Sequence, residues 1–434
     1  MKLGGKSGQQ QATASKDNYS SWQVVSLAEV TRECRSRNNG QLDDKLLCGV
    51  LKSHGLVPMR ERVKGDSTDR CKVVAPNAFA YNPMRLNIGS IARNTADRRV
   101  MVSPDYVVFQ TDPERLLPNY LDHVRYSGLW KSYVGATGDG SVRVRIYYDQ
   151  LSNFQLPLPP LPEQQKIAAI LTAVDDKLDV IARQIETTQT LKKGLMQTLF
   201  SRGVGTQDAT GRWIAHTEFQ DSELGAIPKG WAVQPLDTLA ESITVGIATS
   251  TTEHYVEDGV PLIRNQNIKE DFLDMSDLLK ISVEFDETNK RKRVLEGDIL
   301  TVRTGYPGVS CVVPRGLGYL QTFTTLITRP NQKLIYPSFA SRYFNSPRGK
   351  GLMLHQAAGG AQKNINAGNL KKLLVPVPPL IEQERIAEIL AAVDQKRRSL
   401  EAKNEHYRSI KHGLMQKLLT GEWRVKLDSP TGSA

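Results

Sequence analysis

Two long stretches of the chain place mainly apolar residues at steps of three and four that mostly alternate. The first stretch has these seam positions: Ile167, Leu171, Val174, Leu178, Ile181, Ile185, Thr188, Leu191, Leu195 and Leu199. The second has these: Ile386, Leu390, Val393, Arg397, Leu400, Asn404, Tyr407, Ile410, Leu414 and Leu418. This is a heptad seam, and it predicts two helices of about 37 residues, or roughly 55 Å each. Because typical core helices run about 8 to 20 residues, we expect the two helices to pair antiparallel as a rigid coiled coil.

The ends of both predicted helices carry clear signals. Prolines between 157 and 162 force a stiff, extended approach to the first helix. Gly203 and Gly421 are suited to stop the helices. Gly194 and Gly413 lie inside them at matching places, which suggests a close approach of another backbone.

A long internal repeat is the strongest signal in the sequence. Residues 157–177 read PLPPLPEQQKIAAILTAVDDK and residues 376–396 read PVPPLIEQERIAEILAAVDQK, with 14 of 21 positions identical at an offset of 219. The match resumes without an insertion at Gly-Leu-Met-Gln, residues 194–197 and 413–416. Fainter echoes reach upstream, among them Trp22 and Trp231 at an offset of 209. Two domain-sized copies in one chain predict a pseudo-twofold arrangement.

The remaining sequence indicates two mixed α/β globular domains, in which short β-like runs are broken by Gly, Pro and Asn. The predicted organisation is a leader at 1–19, a first globular domain at 20–155, a first long helix at 156–204, a second globular domain at 205–375, a second long helix at 376–422 and a tail at 423–434.

Charge favours a polyanionic partner. Lys plus Arg number 57 against 46 Asp plus Glu, which gives a net charge of +11. Arg suits guanine, Asn suits adenine, and both Lys and Arg neutralise phosphates. The predicted DNA-binding residues on loops of the two domains are Arg85, Asn87, Arg93, Arg143, Arg145, Arg264, Asn265, Arg291, Lys292, Arg293, Arg303, Gln362, Lys363 and Asn364. Taken one at a time, each of these residues is better explained as a solvated surface residue.

The positions of two pairs of these residues within the repeat strengthen the prediction of DNA binding. At the offset of 219, Arg145 falls on Asn364 and Arg143 falls on Gln362. Equivalent loops thus carry different candidate base readers, as expected of a protein that reads two different half-sequences.

Signals of catalysis, metal binding or membrane insertion are weak. Asn82-Pro83-Met84-Arg85 lacks the second proline and the aromatic residue of an adenine methyltransferase motif. The four cysteines lack CxxC spacing, the seven histidines show no metal spacing, and no apolar run approaches the length of a transmembrane helix. Without a secretory signal, a reducing prokaryotic cytoplasm is expected.

The Pro-x-Pro-Pro-Leu-x-Glu-Gln block leading into Ile-Ala-x-Ile-Leu at the end of both halves resembles the conserved regions of type I restriction-modification specificity subunits. Residues 225–231, Gly-Ala-Ile-Pro-Lys-Gly-Trp, and 364–370, Asn-Ile-Asn-Ala-Gly-Asn-Leu, are similar to the segments that open and close its target-recognition domains. The resemblance covers nearly the whole chain from about residue 20 and is weakest in the first domain.

This resemblance implies a specific division of labour. Each target-recognition domain would read one half of a bipartite site in double-stranded DNA, and the paired helices would set the spacer. Two methyltransferase subunits would dock and methylate adenine with S-adenosylmethionine, and motor-nuclease subunits would join for cleavage. The chain itself would be non-catalytic and would bind no cofactor or metal.

Two other classes of function remain open from the sequence. A self-contained restriction-methylation enzyme is disfavoured because cofactor and metal motifs are missing. A coiled-coil scaffold that binds only protein is disfavoured by the unequal base-reading loops.

Overall fold

The computed structural model describes residues 22–52, 54–59, 67–137, 145–356 and 364–427. The chain divides into two compact units. Unit 1 comprises Met1–Ile181 and Lys403–Ala434, and unit 2 comprises Ala182–Ala402. Each predicted long helix is therefore shared between the units, one half in each.

Unit 1 starts with short strands and helices that lead into the first long helix. Its elements, in chain order, are β1 (Gln23–Ser26), α1 (Leu27–Val30), β2 (Thr31–Glu33), β3 (Cys48–Leu51), β4 (Gly55–Pro58), β5 (Lys72–Val74), β6 (Phe79–Tyr81), β7 (Ile91–Arg93), β8 (Val100–Val102), β9 (Val107–Thr111), α2 (Pro118–Val124), α3 (Gly128–Ala136), α4 (Tyr148–Leu151), β10 (Gln155–Leu158) and α5 (Leu161–Arg202).

Unit 2 contains a second, longer set of elements and leads into the second long helix. Its elements are β11 (Thr206–Gln207), β12 (Trp213–Ile214), β13 (Phe219–Gln220), β14 (Ile227–Pro228), β15 (Ala232–Pro235), α6 (Leu236–Leu239), β16 (Ala240–Val245), β17 (Tyr255–Ile263), β18 (Ile268–Lys269), β19 (Phe272–Leu273), β20 (Leu279–Ile281), α7 (Val283–Thr288), β21 (Ile299–Thr301), β22 (Ser310–Val312), β23 (Gln321–Thr322), β24 (Leu326–Pro330), α8 (Pro337–Asn345), α9 (Pro347–Gln356), α10 (Ala367–Lys371), β25 (Leu374–Val377) and α11 (Leu380–Leu418). Short 3-10 turns lie at Asp44–Leu46, Thr252–His254, Asn265–Asn267 and Lys290–Lys292.

Both units are built on the same four-stranded antiparallel sheet. Its order is β2-β9-β6-β7 in unit 1 and β16-β24-β21-β22 in unit 2. The register is also equivalent, since Ala80 pairs with Val108 and Leu300 pairs with Ile327. The predicted repeat of one domain fold is therefore present although the two domain sequences have diverged.

The units differ in what is inserted around this sheet. Unit 1 adds the hairpin β3-β4 and the pair β5-β8. Unit 2 adds the three-stranded sheet β20-β17-β23 and the hairpin β18-β19. These insertions give each unit its own loop surface on a common scaffold.

The repeated Glu-Gln dipeptide joins each sheet to its long helix. The fully buried Gln164 side chain accepts from Leu117 N and donates to the carbonyls of Arg115 and Pro159, at 2.8 Å each. Gln383 makes the equivalent three bonds in unit 2, at 2.8–3.1 Å. Buried polar groups must find partners, which explains why an amide occurs at this place in both copies.

The glutamate of the same dipeptide binds residues that are distant in the sequence and so links separate segments of each unit. Glu163 accepts from the indole of Trp22 and from the guanidinium of Arg424 at 2.6 Å. Burial alone would raise the pKa of Glu163, but these hydrogen bonds lower the pKa below its usual value. Glu382 accepts from the indole of Trp231 at 2.9 Å and from His216.

The long helices pack antiparallel inside each unit. In unit 1 the start of α5 and the end of α11 share one core, which includes Ile167, Leu171 and Leu418. In unit 2 the end of α5 and the start of α11 share another core, which includes Leu199 and Ile386. The helices have 42 and 39 residues, somewhat longer than the seam alone predicts.

A matching ion cluster ties the two helices together in each unit. Lys411 contacts Asp175 at 2.5 Å in unit 1, and Lys192 contacts Asp394 at 2.7 Å in unit 2. Both contacts lie at the repeat offset. Burial would raise the pKa of Asp394, but hydrogen bonds from Lys192 and Arg342 lower it overall.

Two details of the sequence prediction are corrected. A Cβ placed on Gly194 or on Gly413 would meet no atom within 4 Å, so the expected close backbone approach at these glycines is wrong. Leu191 is 53% exposed although it belongs to the predicted seam. The helix-stop prediction is confirmed, because Gly203 and Gly421 have φ of +69° and +76°.

Candidate nucleic-acid interface

The loop from a central strand to the edge strand beside it, β6 to β7 in unit 1 and β21 to β22 in unit 2, occupies the same place in each unit. This loop covers residues 82–90 in unit 1 and 302–309 in unit 2. The buried Ile146 donates its backbone N–H to Pro83 O at 3.1 Å, and the buried Ile365 donates to Arg303 O at the same distance. Each isoleucine thus fixes the segment before α4 or α10 against this loop.

Arg145 and Asn364 directly precede these isoleucines, and both are exposed. The structure therefore places this predicted pair at equivalent positions beside equivalent loops. Their partners in the prediction, Arg143 and Gln362, lie outside the described residues, as does Lys363.

In unit 1 the loop beside Arg145 presents two further predicted residues. Arg85 and Asn87 are both exposed, and the turn is held by Arg85 N donating to Asn82 O at 3.0 Å. Their side chains have the donor groups that suit guanine and adenine edges.

Arg93 is placed differently. It ends β7 and is only 15% exposed; its Nε lies 3.2 Å from Asp122 and its terminal nitrogen donates to Asn77 at 2.7 Å. These bonds hold α2 against the sheet, so the side chain already has a structural role.

In unit 2 the structure brings four predicted residues into one cluster. Arg303 donates from Nε to the Asn364 side chain at 3.1 Å. Asn265 approaches the same loop, because Thr304 lies 3.4 Å from its amide and Tyr306 donates its hydroxyl to Asn265 O at 2.6 Å. The fourth member, Arg264, directly precedes Asn265.

Arg264 is partly committed to the protein itself. It donates to the carbonyl and the carboxylate of Asp277 at 3.2 and 3.1 Å. The neighbouring Asn267 is buried and ties this turn together, since it accepts from Arg264 N at 2.9 Å and donates to Asp277 O. The turn carrying Asn265 is therefore held rigidly.

The basic run 291–293 separates into two kinds of residue. Arg293 donates to the fully buried Asp286 at 3.0 Å and lies 4.2 Å from the Tyr319 ring centre. The hydrogen bonds that Arg293 donates to the carboxylates of Asp286 and Glu287 raise the pKa of Arg293. Arg291 is exposed and Lys292 is half-buried, and neither has an ion pair within the described part of the chain. Arg293 thus anchors a turn from which Arg291 projects.

Thr304 and Tyr306 were missed by the sequence prediction. Tyr306 is 43% exposed at the tip of the loop that carries Arg303. The Gly305-Tyr306-Pro307 turn between two β-like runs is a signal that could have identified it.

Across the described residues, no group of three His, Cys, Asp or Glu side chains is arranged to hold a metal ion. None of the described helices combines the length and apolarity needed to cross a membrane.

The family profile and the similar proteins of known identity all concern specificity subunits of type I restriction enzymes. A sequence profile of the family "Type I restriction modification DNA specificity domain" matches residues 119–189 and 228–406. The chain is 28% identical over 311 residues to the type I restriction enzyme MjaVIII specificity subunit of Methanocaldococcus jannaschii, covering 68% of this chain and 67% of that protein. It is 27% identical over 296 residues to the EcoBI specificity subunit of Escherichia coli, covering 64% and 60%.

The chain thus spans about 60 to 67% of the length of the curated relatives it matches. Its fold is similar to a crystal structure of the type I restriction-modification S subunit from M. genitalium, with a TM-score of 0.57 at 15% identity. That match covers 94% of this chain and 98% of the other.

Proposed function

Because the chain belongs to the type I restriction modification DNA specificity domain family, we propose that it selects the DNA sequence for a type I restriction-modification complex. Unit 1 reads one half of a bipartite site and unit 2 reads the other half. The α5/α11 pair fixes the number of unread base pairs between the two halves.

One observation carries this proposal. The two units share a sheet, and in each unit a buried isoleucine is hydrogen-bonded to the same loop of that sheet. The residue before this isoleucine is Arg145 in unit 1 and Asn364 in unit 2. Arginine reads guanine and asparagine reads adenine in the major groove. A common scaffold with different side chains at one place suits a reader of two different half-sequences.

The proposed division of labour leaves catalysis to other subunits. Two methyltransferase subunits dock on the helices and hold S-adenosylmethionine, and motor-nuclease subunits complete the assembly for cleavage. The chain itself contributes positively charged and amide side chains, which supply phosphate contacts and base contacts respectively.

The decisive experiment is methylome sequencing of cells that express this chain together with its cognate methyltransferase. The expected result is methylated adenine in a motif of two short sequences separated by a fixed number of unspecified bases. A continuous motif, or methylation by the purified chain alone, would contradict the proposal. Absence of DNA binding by the assembled complex at low salt would favour the protein-binding scaffold instead.

A further inference from the structure

A groove of about 760 Å³ opens in unit 1 between the start of α3 and the second half of α11. Apolar side chains form its floor: Tyr126, Leu129, Leu178 and Met415. Tyr126 and Leu129 are 40% and 43% exposed, so two large apolar side chains lie open to solvent beside the groove.

Cationic side chains surround this floor. Lys131 and Arg408 are exposed, and no ion pair is recorded for either among the described residues. The imidazole of His412 is also exposed at the rim, and the Lys411 ammonium lies 5.5 Å from the Tyr126 ring centre. Within the described part of unit 1, Asp175 is the acidic residue that pairs with Lys411.

The equivalent groove in unit 2 shows what fits such a surface. At the repeat offset, Tyr126, Lys131 and Lys411 fall on Asn345, Lys350 and Lys192. In unit 2 the turn of the β18-β19 hairpin enters this place with two adjacent carboxylates, Glu270 and Asp271.

Each of these carboxylates contacts unit 2 counterparts of the residues that line the unit 1 groove. Glu270 lies 2.8 Å from Lys350. Asp271 accepts from Asn345 at 2.9 Å and lies 3.7 Å from Lys192. The remaining cavity, beside Met196 and Pro347, is only about 120 Å³.

We propose that the unit 1 groove binds an acidic turn of a partner protein, with two adjacent carboxylates over Lys131 and Lys411 and an apolar side chain on Leu129 and Met415. Charge complementarity and the filled groove of unit 2 both argue for this occupant. The site is asymmetric, because unit 2 fills its own groove, so each chain binds one such turn.

DNA phosphate is the competing occupant, and the floor of the groove disfavours it. Phosphate contacts need donors and positive charge, whereas an apolar floor with a charged rim is typical of protein–protein anchors. Covering Tyr126 and Leu129 with a DNA backbone would bury apolar surface against phosphate without gain.

The probe for this proposal is a fluorescent, head-to-tail cyclised peptide of residues 267–274, Asn-Ile-Lys-Glu-Asp-Phe-Leu-Asp. Cyclisation imitates the native hairpin, in which Asp274 N donates to Asn267 O at 2.8 Å. Its control carries Glu270→Gln and Asp271→Asn. Binding to the full chain is followed by fluorescence anisotropy and by stoichiometric titration.

The expected result is one site per chain. Affinity should fall about tenfold for the neutral peptide, which loses both ion pairs, and about tenfold for the chain with Lys131→Glu and Arg408→Glu, which loses the Lys131 pair and places two repelling charges at the rim. Arg70→Glu, an exposed charge reversal elsewhere in unit 1, should leave binding unchanged. Circular dichroism checks that the variants are folded.

Three outcomes would overturn the proposal. These are no binding of the acidic peptide to the folded chain, equal binding of the acidic and neutral peptides, and displacement of the bound peptide by a short non-specific DNA duplex. The last outcome would assign the groove to phosphate.

Discussion

The indole nitrogen of Trp22 donates to the Glu163 carboxylate across 3.0 Å, although 141 positions separate the two residues. Trp231 and Glu382 repeat this bond at 2.9 Å in unit 2. A buried carboxylate that receives several donors is thus the common closing element of both units.

Replacing Glu382 by Gln should destabilise unit 2 by about 2 kcal/mol or more. The carboxylate accepts from the Trp231 indole and from the N–H groups of Val204 and Gly205 at 2.8–3.0 Å. An amide has a single acceptor oxygen, so a buried donor would lose its partner. Urea unfolding measures the change. Glu384→Gln, an exposed neighbour on α11, is the control and should change stability little.

The stability of unit 1 should depend on His123 below neutral pH. Burial lowers the pKa of His123, and Asp175, Asp122, Lys411 and Arg125 are the charged groups around it. Because the folded pKa lies below the unfolded value of about 6.5, the folded state binds fewer protons. The neutral His123 therefore contributes stability that is complete above the unfolded pKa of about 6.5 and is lost as the pH falls from there through the lower folded pKa.

Thermal unfolding at several pH values tests this expectation. The wild-type melting temperature should fall between pH 7.5 and 5.5 by more than that of His123→Gln, whose amide can still bond to the Thr172 hydroxyl that lies 3.0 Å from His123 Nε2. Identical pH profiles for the two proteins would contradict the assignment. Unit 2 supplies the internal contrast, because Arg342 stands at the equivalent position and does not titrate in this range.

Exchanging Arg145 for Asn should change the preferred base at one position of one half-site. A bidentate base contact discriminates by about 1–3 kcal/mol. The second half-site and the spacer should stay unchanged in the methylome. Asn364→Arg should do the reverse, and Arg212→Asn, an exposed residue of the β11-β12 hairpin, serves as the control. A change in both half-sites on either substitution would contradict the assignment of one half to each unit.

Substitutions at Arg291 and Arg293 should have different effects, the first on DNA binding and the second on the stability of the chain. Arg291→Ala should weaken DNA binding for all sequences and reduce the salt dependence by about one ion. Arg293→Met should instead lower stability, because it leaves the buried Asp286 without its cation. Salt titrations of the assembled complex and urea unfolding of the chain distinguish the two effects. Loss of salt dependence for Arg293→Met at unchanged stability would reverse the assignment.

A heptad inserted within Gln184–Leu191, together with a matching heptad in the facing stretch of α11, should lengthen the spacer of the recognised site and leave both half-sequences unchanged. The antiparallel register that places Lys192 against Asp394 puts Gln395–Ala402 of α11 opposite this stretch. An insertion in both stretches therefore keeps the packing in phase, whereas an insertion in α5 alone shifts it. Methylome sequencing measures the spacer, and an unchanged spacer in a correctly folded double insertion would refute the ruler.

The helices and the common fold could be predicted from the sequence because their signals are local or repeated. The 219-residue offset predicts two copies of one domain, and the sheets of the two units have the same strand order. The reason for the Glu-Gln dipeptide could not be predicted, since the partners of Gln164 include Arg115 and Leu117, far from it along the chain.

The sequence could not show which side chains of the candidate interface are free, because contacts between residues distant in the sequence decide this. Residue type identifies an arginine but not its partner. Arg93 and Arg293 look like base readers in sequence, yet tertiary folding brings Asp122 and Asp286 to them. In the sequence, only the repeat offset distinguished Arg145 and Asn364 from the other candidates. In the structure, the isoleucine that follows each of them makes the same backbone hydrogen bond to the neighbouring loop.

Unit 1 draws its core from both ends of the described chain, including Met415 and Leu418 on α11 and the Arg424 partner of Glu163. A ribosome makes residues 403–427 after the whole of unit 2. The core of unit 1 therefore stays incomplete, with apolar surface exposed, while unit 2 is synthesised and folds. Order of synthesis thus makes the first-made unit the last to mature, and the one more dependent on protection from aggregation during translation.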